Sequence, residues 1–355
     1  MKLGRISLVV ALTVLGSLTL HAQEKQKIII DQDEAGPGGT DQQATLLLIQ
    51  SPKAEVLGIT VVTGDAWLNE EVAHTLRTLE LIGRTDIPVL RGAEYPLVRR
   101  KDETELWEQR YGAIQWLGAW TPKYSHAPDD LGKMPEGKPT TRASDEDAAH
   151  FLVRMVRKYP NEVTIYEGGP MTNLALALSL DPQFAGLSKG LVFMGGALSP
   201  HTNDPEYLNS PRHEFNLWFD PEAAHIVLRA HWPSIVCTTV DVSVKTQLSQ
   251  AMFDEIAKSS APAAQYIARY STPGRGYLWD ELAAAAWLDP SLITGERLVY
   301  MDMNLDRGAG YGDTLTWSEP NKPALDLQLV HAQMDVDMGR FGAMFVRLMR
   351  SATPR

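Results

Sequence analysis

Ile28-Ile29-Ile30-Asp31-Gln32-Asp33-Glu34-Ala35-Gly36-Pro37-Gly38-Gly39-Thr40-Asp41-Gln42-Gln43-Ala44 joins an apolar run, a set of carboxylates and a glycine-rich turn in one short stretch. It reads as a buried strand that carries acids to the rim of a sheet, with a helix starting after Thr40 or Asp41. Gly36, Gly38 and Gly39 let the backbone fold closely around something small. Such turns can cradle a phosphate, but Asp31, Asp33 and Asp41 on one rim would repel it. Hard oxygen donors at a strand end suit Ca²⁺ or Mg²⁺ instead. The plainer alternative is a solvated acidic turn in which an Asp caps the helix.

Working outward, β-branched apolar runs alternate with segments of helical spacing. Strands are expected over 27–30, 56–62, 87–90, 163–166, 190–194 and 235–240, and helices over 42–50, 69–82, 145–157, 174–180 and 221–230. This alternation predicts a single α/β domain, a mostly parallel central sheet flanked by helices, with ligands at the carboxyl ends of the strands. No internal repeat or dividing linker is visible. Residues 98–144 break the pattern, being rich in charge, Pro, Gly and the aromatics Trp107, Tyr111, Trp116, Trp120 and Tyr124. That insertion reads as a lid, or as an excursion whose tryptophans pack on the body.

The chain has 355 residues and a formal net charge of −11. Lys2 and Arg5 precede an uncharged apolar stretch that ends near Ala22, the pattern of a secretory signal over 1–22 rather than a membrane span. The domain is then expected over 23–355, in a secreted or periplasmic protein with no membrane association after the signal is removed. Losing those two basic residues makes the chain more acidic still, so nucleic acid and anionic lipid are poor partners and a small neutral ligand fits better. Homo-oligomerisation is left open. Cys237 is the only cysteine and sits in an apolar run, as an inert core residue would.

Four further segments fall near expected strand ends: Val61-Val62-Thr63-Gly64-Asp65; Gly168-Gly169-Pro170-Met171-Thr172-Asn173; Asn209 with His213-Glu214-Phe215-Asn216 after Met194-Gly195-Gly196; and Trp279-Asp280-Glu281. Alone, Asp65, Thr172 and Asp280 are ordinary helix caps. Together they bring carboxylates and amides to one end of one sheet.

These residues resemble the inosine-uridine preferring nucleoside hydrolases. The resemblance lies in the opening strand with Asp31 and Asp33, Gly169 to Asn173, Met194 to Gly196, Glu214 to Asn216 followed by Asp220 to Ala224, and Asp280 ahead of an alanine-rich helix. It runs in consistent order from about Lys27 to about Arg347. It implies Ca²⁺-dependent hydrolysis of the N-glycosidic bond of a nucleoside, giving base and ribose. By that resemblance Asp33, Asp280 and the carbonyl of Thr172 bind the metal. Glu214, Asn216, Asn209 and Asn173 contact the substrate, and Asp31 supports the turn or accepts a sugar hydroxyl.

Two departures stand out. Aligning Ala44 with the family places Gln42 and Gln43 where a metal-binding and a basic Asp are usual, and glutamine is no base at neutral pH. Asp41 is then the candidate catalytic base or metal ligand, with Asp31 next in line. Trp279 stands where many members carry an acidic His, so it is expected to stack on the base, which favours purines. A catalytically inactive nucleoside- or sugar-binding protein, and a hydrolase of another ribosyl compound, remain open alternatives on sequence.

Overall fold

The computed structural model describes residues 25–121 and 126–354. The expected signal segment and Tyr124 lie outside the described residues. Nine strands form one sheet among these residues: β1 (Gln26–Gln32), β2 (Ala54–Val61), β3 (Val89–Arg91), β4 (Val163–Glu167), β5 (Gly190–Met194), β6 (Ile235–Thr238), β7 (Ile293–Met303), β8 (Thr314–Trp317) and β9 (Leu329–Val336). Their order is β3-β2-β1-β4-β5-β6-β9-β7-β8. The strands from β3 to β9 in that order pair in parallel, and β7 runs antiparallel to both β9 and β8. The chain leaves β1 toward β2 and β3, then returns to β4 on the other side. The crevice at this reversal is where an open α/β sheet binds its ligand.

β1 is buried on both faces, which explains its unbroken apolar run. Ile28 and Ile30 pack into a core with Leu46, Leu47 and Leu282. Ile29 faces the opposite core, with Phe151, Leu152 and Ile165. The expected helices are present, as at Thr40–Gln50, Leu68–Ile82 and Thr172–Leu180. β3 begins at Val89, so Ile87 precedes the strand, and β6 stops at Thr238. The 98–144 insertion contributes a helix, Lys101–Tyr111. Trp120 packs in a separate aromatic core with Trp67, Phe215, Trp218 and Phe219, so part of the insertion is anchored to the body.

Candidate active site

Asp33 follows the last residue of β1 and is buried at the sheet rim. Two glycines make room for it: a Cβ on Gly64 would come 2.1 Å from Asp33 Oδ2, and one on Gly169 would come 3.0 Å from its Cγ. The Asp65 N–H donates to Asp33 Oδ2 at 3.0 Å. Asp41 lies in the first turn of the helix Thr40–Gln50, and Asp280 in the first turn of Trp279–Leu288. These two buried acids therefore sit at helix N-termini, where the backbone dipoles favour negative charge.

Asp33, Asp41, Asp65 and Asp280 line one cavity of about 370 Å³. Burial, and then the charges of the neighbouring carboxylates, push Asp33, Asp41 and Asp280 well above the usual carboxyl range. Burial raises Asp65 to about 6, against the opposing bond from Trp116. Asp280 Oδ1 is buried without a hydrogen-bond partner. So dense a set of hard oxygen donors fits a divalent cation, which would relieve the repulsion. Among the described residues, no group of three or more His, Cys, Asp or Glu side chains is drawn together closely enough to hold a metal ion by itself. Backbone, water or substrate oxygens would have to complete the shell.

One wall is built by Glu214 and Asn216. The Glu214 carboxylate accepts from the backbone N–H groups of Gly196 (3.0 Å), Asn216 (2.8 Å) and Leu217 (3.0 Å). Asn216 Nδ2 donates to the carbonyls of Gly168 (2.8 Å) and Met194 (3.2 Å). At the rim, the Trp279 ring lies 4.9 Å from Tyr277 and 5.9 Å from Tyr207. The insertion contributes Gln115 and Trp116, and Trp116 Nε1 donates to Asp65 Oδ1 at 2.6 Å.

Asp33, Asp41, Asp280, Glu214, Asn216 and Trp279 thus converge as expected. Asp31 and Asn173 do not reach the cavity. Asn173 Nδ2 donates to Asp31 Oδ1 (2.8 Å) and to the Val61 carbonyl (3.2 Å), and its Oδ1 accepts from Ala93 N–H (2.8 Å). The pair is buried bracing that ties β1 to the end of β2 and to the segments after β3 and β4. Thr172 is also placed elsewhere, with its hydroxyl on Asp220 Oδ2 at 2.7 Å. The Gly-Gly-Pro turn carries it into a helix, and the backbone lining the cavity is that of Gly168. Gln42 and Gln43 do not line the cavity: Asp41 does, while Gln43 Nε2 donates back to the Gly38 carbonyl at 2.9 Å. The side chain of Asn209 lies outside the described residues. Asp204, Glu206, Tyr207 and Tyr277, absent from the expected site, also line the cavity. The one sequence signal for Asp204, Glu206 and Tyr207 is an acidic, aromatic loop between Met194-Gly195-Gly196 and Glu214, while Tyr277 stands two residues before Trp279.

The sequence matches the family described as inosine-uridine preferring nucleoside hydrolase over residues 28–342. It is 31% identical over 287 residues to a probable uridine nucleosidase 2 of Arabidopsis thaliana, covering 76% of this chain and 80% of that protein. To an inosine-uridine preferring nucleoside hydrolase of Leishmania major it is 27% identical over 328 residues, covering 88% and 94%. Among solved structures, a purine-preferring ribonucleoside hydrolase from Gardnerella vaginalis superposes with a TM-score of 0.73 at 24% identity, covering 92% of this chain and 98% of that one. An inosine-guanosine nucleoside hydrolase gives 0.73 at 23% identity, covering 91% and 98%; at these identities the likeness shows a shared fold. With the sequence match spanning the strand ends that build the cavity, the chain belongs to the inosine-uridine preferring nucleoside hydrolase family and is an N-glycosyl hydrolase.

Proposed function

We propose that this chain is an exported, Ca²⁺-dependent hydrolase of ribonucleosides that releases free base and ribose and prefers purines. One observation carries the reading: Asp33, Asp41 and Asp280 share a cavity with the polar wall of Glu214 and Asn216 and the aromatic rim at Trp279. The three aspartates would hold the ion, with the Gly168 carbonyl beside them replacing the expected carbonyl of Thr172. When bound, Ca²⁺ supplies a site that acidifies water and anchors ribose hydroxyls.

The residues of the chain do the rest. Asp41 accepts the proton of the attacking water. Glu214, fixed by three backbone donors, keeps acceptor capacity for sugar hydroxyls. Asn216 orients the same face of the ribose. Acidic walls favour the oxocarbenium-like charge that develops as the C1′–N bond breaks. Trp279 stacks on the base, which favours the larger purine surface. The test is release of base from inosine, adenosine, guanosine, uridine and cytidine by metal-stripped protein, with and without added Ca²⁺, against an Asp33→Ala control. Ca²⁺-dependent release lost in Asp33→Ala supports the reading, and full activity after chelation overturns the ion dependence. Binding of nucleosides with no release overturns the function.

A further inference from the structure

The cavity holds more carboxyl groups than ribose and a cation require. A base leaving with the electron pair of the C1′–N bond needs a proton, and the Trp279 indole is no acid for that purpose. The other groups are committed. Asp33, Asp41 and Asp280 make up the acidic floor. Asp65 accepts from Trp116 Nε1, and Glu214 accepts three backbone N–H bonds, which hold both as acceptors. Asp204 Oδ1 accepts from the Glu206 N–H at 3.0 Å. The remaining carboxyl is that of Glu206. It lines the same cavity and is hydrogen-bonded to Tyr207, whose ring lies 5.9 Å from that of Trp279.

We propose that Glu206 hands a proton to the departing base, with Tyr207 orienting its carboxyl toward the aromatic rim. The role rests on the nucleoside-hydrolase reading above. As the C1′–N bond breaks, its electron pair goes to the base nitrogen, which takes the Glu206 proton. Water forms the new C1′–O bond and gives its own proton to a floor carboxylate. Glu206 is left ionised and regains a proton from solvent before the next turnover.

The surroundings keep the acid loaded. Burial, then the charges of Glu214, Asp204 and Asp65, outweigh the hydrogen bond from Tyr207 and push Glu206 up to about 8. None of these facing groups is cationic. The protonated form therefore predominates at neutral pH and is lost as pH rises through about 8.

The test compares Glu206→Gln with wild type on inosine and on para-nitrophenyl riboside, whose leaving group departs without a proton. The riboside also reports on a folded site in the same sample. For inosine, kcat/KM is expected to fall about 100-fold, while the riboside changes by less than about threefold. The alkaline fall of the wild-type inosine profile should vanish in the variant, and Glu206→Asp should recover part of the inosine rate. Equal losses on both substrates, or an unchanged inosine rate, would overturn the assignment. A wild type that cleaves the riboside but no nucleoside would instead overturn the reading on which it rests.

Discussion

Thr40 and Asp280, far apart in the chain, are stitched together at the mouth of the site. The Asp280 N–H donates to Thr40 Oγ1 at 3.2 Å, and the Thr40 hydroxyl lies 3.2 Å from Asp280 Oδ2 and also bonds Glu281. This hydroxyl joins two helix N-termini that carry the floor carboxylates Asp41 and Asp280. Thr40→Val keeps the shape but removes all three contacts of the hydroxyl, leaving buried acids unsupported. Ca²⁺ affinity measured by calorimetry should drop about 10-fold or more, and Thr40→Ser should restore most of it. Wild-type affinity in Thr40→Val would show that the stitch does not position the floor.

Asp41 lines the cavity although the alignment of Ala44 puts Gln42 and Gln43 at the acid positions. If it takes the proton of the attacking water, Asp41→Asn should lower kcat at least about 100-fold. The neutral amide keeps the shape, so KM should change much less. Steady-state kinetics at saturating Ca²⁺ decide this. A comparable kcat loss confined to Asp33→Asn would move the base to Asp33.

The buried acids make stability depend on pH in a way opposite to that of salt-bridged carboxylates. A carboxyl raised on folding contributes most below its unfolded pKa, and that contribution is lost as pH rises through the folded value. Asp31 and Asp65 are both raised to about 6, chiefly by burial. Metal-stripped protein should therefore melt at progressively lower temperature as pH climbs from about 4 past about 6. Added Ca²⁺ should raise the melting temperature more at pH 8 than at pH 5. A metal-induced shift independent of pH in differential scanning calorimetry would contradict the proposed relief of carboxylate repulsion.

Asn173 and Asp31 give a contrasting prediction, because they brace the floor from below. Removing the amide in Asn173→Ala strands the Asp31 carboxyl and the Ala93 N–H in the core. A loss of about 2–4 kcal/mol in unfolding free energy is expected, with KM for nucleosides little changed in the folded fraction. A large KM increase without loss of stability would return Asn173 to the substrate.

The parts of the molecule legible in sequence share one physical property: their residues repeat with the period of the element. Ile28 to Ile30, buried on both faces, declare a central strand, and the glycines beside Asp33 declare a tight rim. β7 and β9 are not legible in sequence because these half-exposed strands, antiparallel to each other, mix Glu296, Arg297 and Asp335 with apolar residues. The one-sided alternation is broken by register shifts near Gly295. Asp31 and Asp33 look equivalent in sequence. Only the turn after Gln32 separates the brace from the cavity acid. Glu206 carries only the weak signal of its acidic, aromatic loop, since burial and Glu214, which lies on another segment of the chain, set its environment more than its neighbour Asp204 does.

The rim gives the last prediction. The Trp279 ring is held edge-on by Tyr277 at 4.9 Å with an interplanar angle of 73°. Its half-buried face is available to a planar base. Stacking scales with overlapping area, so a purine should gain more from the indole than a pyrimidine. Wild type should cleave inosine with higher kcat/KM than uridine. Trp279→Ala, which removes the face but not the floor, should cost inosine about 10-fold more than uridine, the equivalent of about 1.4 kcal/mol of stacking. Retaining aromatic area in Trp279→Phe should restore part of the difference. If inosine and uridine lose activity equally in Trp279→Ala, the ring serves to pack Tyr207 and Tyr277, and the purine preference must originate with Trp116 or be abandoned.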